Sequence, residues 1–135
     1  MITTSILAKK ADIPVFTVRH YTKIGLLSPA RNERNGYRIY KDSDVTLLRF
    51  ITNAKSLGFT LKEIAEIVEK ADHRESPCPI VREIISRRIA ENKQKMKQMK
   101  RLQRKMEAAQ LQWENMKDSV PNGDSVCHLI ESIGE

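Results

Sequence analysis

Apolar positions recur at helical spacing over most of the chain. In "TSILAKKADIPVFTVRHYTKIGLL", residues 4–27, Ile6, Leu7 and Ala11 predict one short helix. Val15, Val18, Tyr21 and Ile24 predict a second. "ADIP" breaks the pattern between them, with Pro14 near the start of the second helix and Gly25 suited to its C-terminal end. Two short helices joined by a tight turn outline a helix-turn-helix, an outline that spacing alone shares with any helical hairpin. In "SPARNERNGYRIYKDSD" the pattern changes. Asn35-Gly36 is a turn dipeptide whose residues both tolerate positive φ, and the alternation Tyr37-Arg38-Ile39-Tyr40 predicts a short strand, so a small hairpin or wing is expected.

Helical spacing then returns. Asp42, Ser43 and Asp44 offer N-caps for a helix with Val45, Leu48, Ile51 and Ala54 on one face, ended by Gly58. Thr60-Leu61-Lys62-Glu63 matches a capping box, and "LKEIAEIVEKA" turns Leu61, Ile64, Ile67 and Val68 inward. "DHRESPCP" is a polar, proline-bearing break. From Pro79 to about Met116 there is neither glycine nor proline, which predicts a helix roughly 55 Å long, with Pro79 in its first turn and Cys78 at or near its N-cap. Its apolar seam runs Ile85, Ile89, Met96, Met99, Leu102, Met106, Ala109, Trp113, Met116, with Asn92 in the one missing place. Spacings of three and four make it a coiled-coil seam with one slip near Leu102. So narrow a stripe must pack on something outside the first domain, and a second copy is the simplest partner. The lysines and arginines between Lys93 and Lys105 are expected to form a solvated face. A turn at Pro121-Asn122-Gly123 precedes a short C-terminal helix with Leu129, Ile130 and Ile133 apolar. The expected organisation is thus a helix-turn-helix, wing and helix-pair segment over 1–72, a hinge over 73–78, a dimerisation helix over 79–117 and a loop with a short helix over 118–135.

Composition agrees with an open helical protein. The chain has 135 residues, 30% charged and 5% aromatic, a lean core for the length. A net charge of +7 and a pI of about 9.6 favour an anionic partner, most often nucleic acid. No apolar run approaches a membrane span, and the N-terminus lacks the pattern of a signal peptide, so a cytoplasmic location is expected, with both cysteines as thiols. Catalysis has little support. There is no Ser-His-Asp set, no glycine-rich phosphate loop and no carboxylate pair in an apolar cleft, so the chain is not expected to be an enzyme.

The run "TVRHYTKIGLLSPARNERNGYRIYKDSDVTLLRFITNAKSLGFTLKEI" resembles the MerR family of bacterial transcription regulators. The resemblance rests on Arg-x-Tyr in the second helix, Gly-Leu-Leu-x-Pro, Asn-Gly-Tyr-Arg, and Leu-Gly-Phe before the capping box; "SVCHLIESI" resembles the end of the metal-sensing branch. It implies a mainly α-helical fold. A winged helix-turn-helix with a small β-hairpin would be followed by a long antiparallel coiled-coil dimerisation helix. The chain departs from the family pattern at Asp12, where glycine is usual, and at Thr22, where an acidic residue is usual.

For DNA, the second helix would enter the major groove with Thr17, Arg19, His20 and Tyr21 on or near its N-terminal half. Arg19 suits phosphate or a guanine edge. His20 is either a base reader or merely exposed, and Tyr21 can offer its hydroxyl to phosphate while its ring packs, or simply pack in the core. Tyr40 is expected in the core. Tyr37 and Arg38 flank the wing turn as in family members that grip the DNA backbone, and Arg31, Arg34 and Lys55 add charge on that side. Most of these contacts would position the protein rather than read sequence.

Cys78 and Cys127 are the only thiols. Parallel pairing of the long helix would keep them far apart, whereas antiparallel pairing would bring Cys78 of one chain beside the partner's Cys127. The resemblance implies the antiparallel form, with two symmetric sites each built from both chains. Thiolates suit Hg, Cd, Zn, Pb or Cu(I), and a helix N-terminus favours the thiolate form. In the metal-sensing relatives a cysteine at this place accompanies sensors of divalent ions, while copper sensors tend to carry serine. Relatives usually bring a further loop cysteine, whose place here falls near Asp118 or Ser119. Further ligands would come from His128, His73 or Asp118. The resemblance therefore implies a metal-responsive homodimer that distorts a pseudo-palindromic promoter shared with RNA polymerase. The alternatives are a redox- or electrophile-responsive regulator using the same cysteines, an architectural DNA-binding protein without effector, and a coiled-coil scaffold.

Overall fold

The computed structural model describes residues 1–134; Glu135, the last residue of the expected C-terminal segment, lies outside the described residues. Helix α1 (Thr4–Ala11) is capped by Thr3, whose hydroxyl accepts from the Ile6 N–H at 3.4 Å. Leu7 and Ala8 are buried, while Ile6, expected inside, is 42% exposed. The helix ends at Asp12 in the left-handed conformation (φ 56°, ψ 49°), and the Ile13 N–H reaches back to the Ala8 carbonyl at 3.0 Å. Asp12 thus supplies the turn that a glycine would make, because aspartate is among the few side chains that visit this region at modest cost.

Pro14 then caps α2 (Val15–Lys23), its fixed φ of −64° suiting a helix entrance. Val18 and Tyr21 are buried as their spacing implies. Ile24 is not: it follows the helix and stands exposed, because Gly25 (φ 88°) already turns the chain so that Leu27 enters the core instead.

Strands β1 (Ala30–Arg31) and β2 (Arg38–Ile39) pair antiparallel, Ala30 opposite Ile39 and Arg31 opposite Arg38. The connection is not a two-residue turn. It spans residues 32–37, closed by the Asn32 N–H donating to the Tyr37 carbonyl at 2.8 Å. Only Gly36 takes positive φ (72°); the Asn35 side chain instead accepts from the Tyr37 N–H at 2.9 Å. The Tyr40 N–H donates to the Ile2 carbonyl at 2.8 Å, tying the N-terminus to the wing base.

Helix α3 (Asp42–Ser56) begins after Lys41, not after one of the three expected capping residues. Asp44 sits three residues into the helix and its carboxylate accepts from the Lys41 N–H at 2.8 Å, so the acidic side chain caps from inside. Val45, Leu48, Ile51 and Ala54 are all buried. Helix α4 (Leu61–Asp72) carries the expected capping box: the Glu63 N–H donates to Thr60 Oγ1 at 3.1 Å and the Thr60 N–H to Glu63 Oε1 at 2.9 Å. Ile64 and Ile67 are buried, with Leu61 and Val68 packed against the same core.

Helix α5 (Cys78–Trp113) includes Cys78 as its first residue, because the Pro77 carbonyl already accepts from the Val81 N–H at 3.0 Å. Its opening turns belong to the first compact unit, Met1–Ser86, where Ile84 is buried and Ile80, Val81 and Ile85 pack beside it. The second unit starts at Arg87 within the same helix. There Ile89, Met96, Met99, Leu102 and Met106 are 45–65% exposed, an uncovered apolar seam along one chain. After a turn over residues 122–125, α6 (His128–Glu131) folds back on the end of α5, where Gln112 Nε2 donates to Ser132 Oγ at 3.1 Å. No helix among the described residues is long and apolar enough to cross a membrane.

Candidate nucleic-acid interface and thiol positions

Burial of Val18 and Tyr21 fixes which side of α2 faces out. Phe16, Arg19, His20 and Lys23, at i, i+3, i+4 and i+7, form the opposite stripe and all are exposed. Thr17 is half-buried at the helix start. Tyr21, expected on or near this face, is only 6% exposed; its ring lies in the core, 5.9 Å from the His20 ring centroid. Phe16 and Lys23, beyond the residues expected on this face, join it through the i+3/i+4 spacing that relates them to Arg19 and His20.

The wing carries charge by its register. Arg31 and Arg38 are directly opposed across the two strands, on one face of the hairpin. Like charges in that position repel and weaken a sheet unless an anion lies over them. Arg31 Nη1 also donates to the Gly36 carbonyl at 3.3 Å, bracing the loop. Tyr37 projects from the loop at 66% exposure, Arg34 is exposed beside it, and Lys55 is exposed in the last turn of α3. Among the described residues, none of Arg19, Lys23, Arg31, Arg38 and Lys55 makes an ion pair. The unit therefore holds uncompensated cations on both the helix face and the wing.

Thr22 joins these two elements. Its hydroxyl donates to the Val18 carbonyl at 2.9 Å and accepts from the Tyr40 hydroxyl at 2.9 Å. The base of the wing is thereby hydrogen-bonded to α2.

Both cysteines are free thiols. Cys78 is exposed, and its N–H donates to Ser76 Oγ at 3.3 Å. Cys127 is half-buried immediately before α6. His128 Nδ1 pairs with Ser119 Oγ at 2.5 Å, which leaves Nε2 as its other donor atom. His73 Nδ1 pairs with the Glu69 carbonyl at 2.8 Å. Among the described residues of one chain, no three His, Cys, Asp or Glu side chains gather as a metal group. Glu131, unassigned from sequence, holds the Cys127 loop. It accepts from Ser125 Oγ at 2.6 Å, the Val126 N–H at 2.8 Å and the Cys127 N–H at 3.3 Å. The Ser125 hydroxyl first, then the backbone donors and the neighbouring His128, hold its carboxyl below the usual carboxylate range. A depressed carboxylate favours the folded loop above its unfolded pKa, and that contribution is lost as pH falls through the lowered value.

Residues 2–71 match the family description "MerR HTH family regulatory protein", and residues 45–109 match "MerR, DNA binding". The mercuric resistance operon regulatory protein of Bacillus cereus is 28% identical over 94% of this chain and 92% of its own. The transcription regulator PbrR691 from Ralstonia metallidurans CH34, solved in complex with lead(II), is 32% identical with a TM-score of 0.77, covering 98% of each chain. HiNmlR, a MerR family regulator lacking the sensor domain and solved on promoter DNA, is 29% identical with a TM-score of 0.51 over 78% of this chain and 77% of that one. These are regulators and not enzymes. The two-helix unit with its wing and the long helix that follows therefore belong to a member of the MerR family of helix-turn-helix regulatory proteins, in its metal-sensing branch.

Proposed function

We propose that the chain acts as a homodimer that binds a pseudo-palindromic promoter, distorts it, and activates transcription by RNA polymerase when a thiophilic metal ion binds at the dimer ends. Residues 1–72 engage DNA, α5 (Cys78–Trp113) pairs with a second copy, and the loop and short helix over 118–135 with Cys78 form the effector site. The observation that carries this is the uncovered seam of α5 with one thiol at its first residue and the other just beyond its end. Antiparallel pairing along that seam brings Cys78 of one protomer to the partner's Cys127. Phosphate contacts come from Thr17, Tyr37, Arg38, Arg31 and Lys55, Arg19 bonds phosphate or a guanine edge, and His20 faces the groove. The opposed Arg31 and Arg38 gain most from an anion over the wing.

The donors fit a soft cation. Two thiolates suit linear Hg(II), and the free Nε2 of His128 is a third donor for Cd, Zn or Pb. Bound there, the ion would link the two chains at each end of the dimer. A cysteine at position 78 favours a divalent ion over Cu(I). Transcription in vitro under reducing conditions, with Zn, Cd, Hg, Pb and Cu(I) titrated in turn, tests the reading. Activation by one of them should be lost in both Cys78→Ser and Cys127→Ser. If both variants still respond normally to every metal, the assigned site is wrong. A response to peroxide with formation of a Cys78–Cys127 disulfide would assign the same thiols to a redox switch.

A further inference from the structure

We propose that Phe16 is a specificity-determining residue that reads the 5-methyl group of a thymine in each half-site. The inference rests on the reading of α2 as the helix in the major groove. Phe16 is 72% exposed, the least covered Phe, Tyr or Trp ring among the described residues. It is the second residue of α2, the end whose side chains meet base edges when such a helix enters the groove.

Its neighbours separate it from an ordinary protein contact. The exposed apolar residues of α5 follow one another along a seam, as a helix partner requires. Phe16 stands alone, with Arg19, His20 and Lys23 on its stripe. A second protein packing on the ring would have to desolvate those cations. A nucleic acid answers both demands at once, because phosphates match the cations and a base edge meets the ring. Phe16 has no polar atom beyond its backbone, so its side chain gains nothing from phosphate. Of the base edges in the major groove, only thymine presents an apolar group. The remaining candidate readers, Arg19 and His20, favour purine acceptors. Phe16 thus adds an A·T preference that charged contacts cannot supply.

The test uses the full-length protein and an operator selected from random duplex DNA. Each thymine of that operator is replaced in turn by deoxyuridine, which removes only the methyl group. At one position per half-site the replacement should weaken wild-type binding about fourfold, the worth of one buried methyl. Phe16→Ala, which removes the contact from both half-sites of the dimer, should bind the unmodified operator about sixteenfold more weakly and be indifferent to deoxyuridine at that position. Phe16→Leu, still apolar, should retain part of the sensitivity. Because Phe16 is exposed, its variants should melt with the wild type. Wild-type binding indifferent to every deoxyuridine, or a Phe16→Ala variant with unchanged affinity and unchanged sensitivity, overturns the inference. Arg19→Ala and Arg38→Ala distinguish the two failures. If they lose affinity while Phe16→Ala does not, the DNA face stands and the thymine contact falls. If neither arginine variant changes binding, the DNA face itself is wrong, and the contact falls with it.

Discussion

Thr22 and Tyr40 show how a departure from a family pattern is accommodated by one hydrogen bond. Tyr40 is 3% exposed, so its hydroxyl has to be paired within the protein, and Thr22 does this while donating onward to Val18. Replacing Thr22 by valine keeps the shape and strands the phenol. The expected cost is about 1–2 kcal/mol, read as a lower midpoint in guanidinium unfolding, with Thr22→Ser recovering most of it. An unchanged midpoint in Thr22→Val would mean the pair contributes nothing. That Tyr40 belongs to the core is legible in its large ring, although the alternation of "YRIY" sets it on the same face as Arg38. Its partner is not, since no local pattern relates residues 18 positions apart. Asp12 is the reverse case. Its position between two apolar stripes announces a turn, and the left-handed conformation follows from the small menu of ways to end a helix.

Among the elements, helices whose stripes repeat over several turns could be read directly, as the buried positions of α3 and α4 show. The misreadings lie at ends. Ile6 and Ile24 fit the spacing, but one falls in the first turn of α1 and the other just past the end of α2, where a neighbouring residue can take the inward place. Asp44 caps α3 from within because a carboxylate three residues in reaches the same N–H as a side chain at the cap. The wing loop took six residues because Asn35 uses its side chain where a tight turn would need its backbone. For α5 the period identifies the seam but not that its first member, Ile85, packs beside buried Ile84 on the core of the first unit. From Ile89 to Met106 the seam remains uncovered in one chain, while Ala109 is buried and Trp113 and Met116 half-buried, and a charge in the uncovered stretch discriminates between packing and solvent. Leu102→Glu should leave the Met1–Ser86 unit folded while raising the dimer dissociation constant on the order of a hundredfold, because symmetry places the carboxylate in the interface twice. Analytical ultracentrifugation reads the change; an undisturbed dimer would remove the seam from the interface.

Across the whole molecule, the net charge of +7 says that an anion is attractive but not where it binds. Basic residues lie along α5 as well as on α2 and the wing, and the chain's composition weighs them equally. The fold separates them. The solvent face of α5 spreads its lysines along a single helix, whereas Arg19 stands on the outward stripe of α2 and Arg38 sits opposite Arg31 by strand register. The salt dependence of DNA affinity distinguishes the two sets, because each neutralised phosphate releases condensed counterions and contributes about 0.9 to the slope of log K against log salt. In a two-fold dimer, Arg38→Ala should therefore flatten that slope by about 1.8, and Arg19→Ala by as much if it grips phosphate. An Arg19 bonded to guanine would instead lose affinity with little change in slope and with relaxed preference at one base. Lys97→Ala and Lys100→Ala, on the α5 surface, should leave the slope where it is. A slope that falls equally for the α5 lysines would move the DNA path onto the long helix and away from the wing.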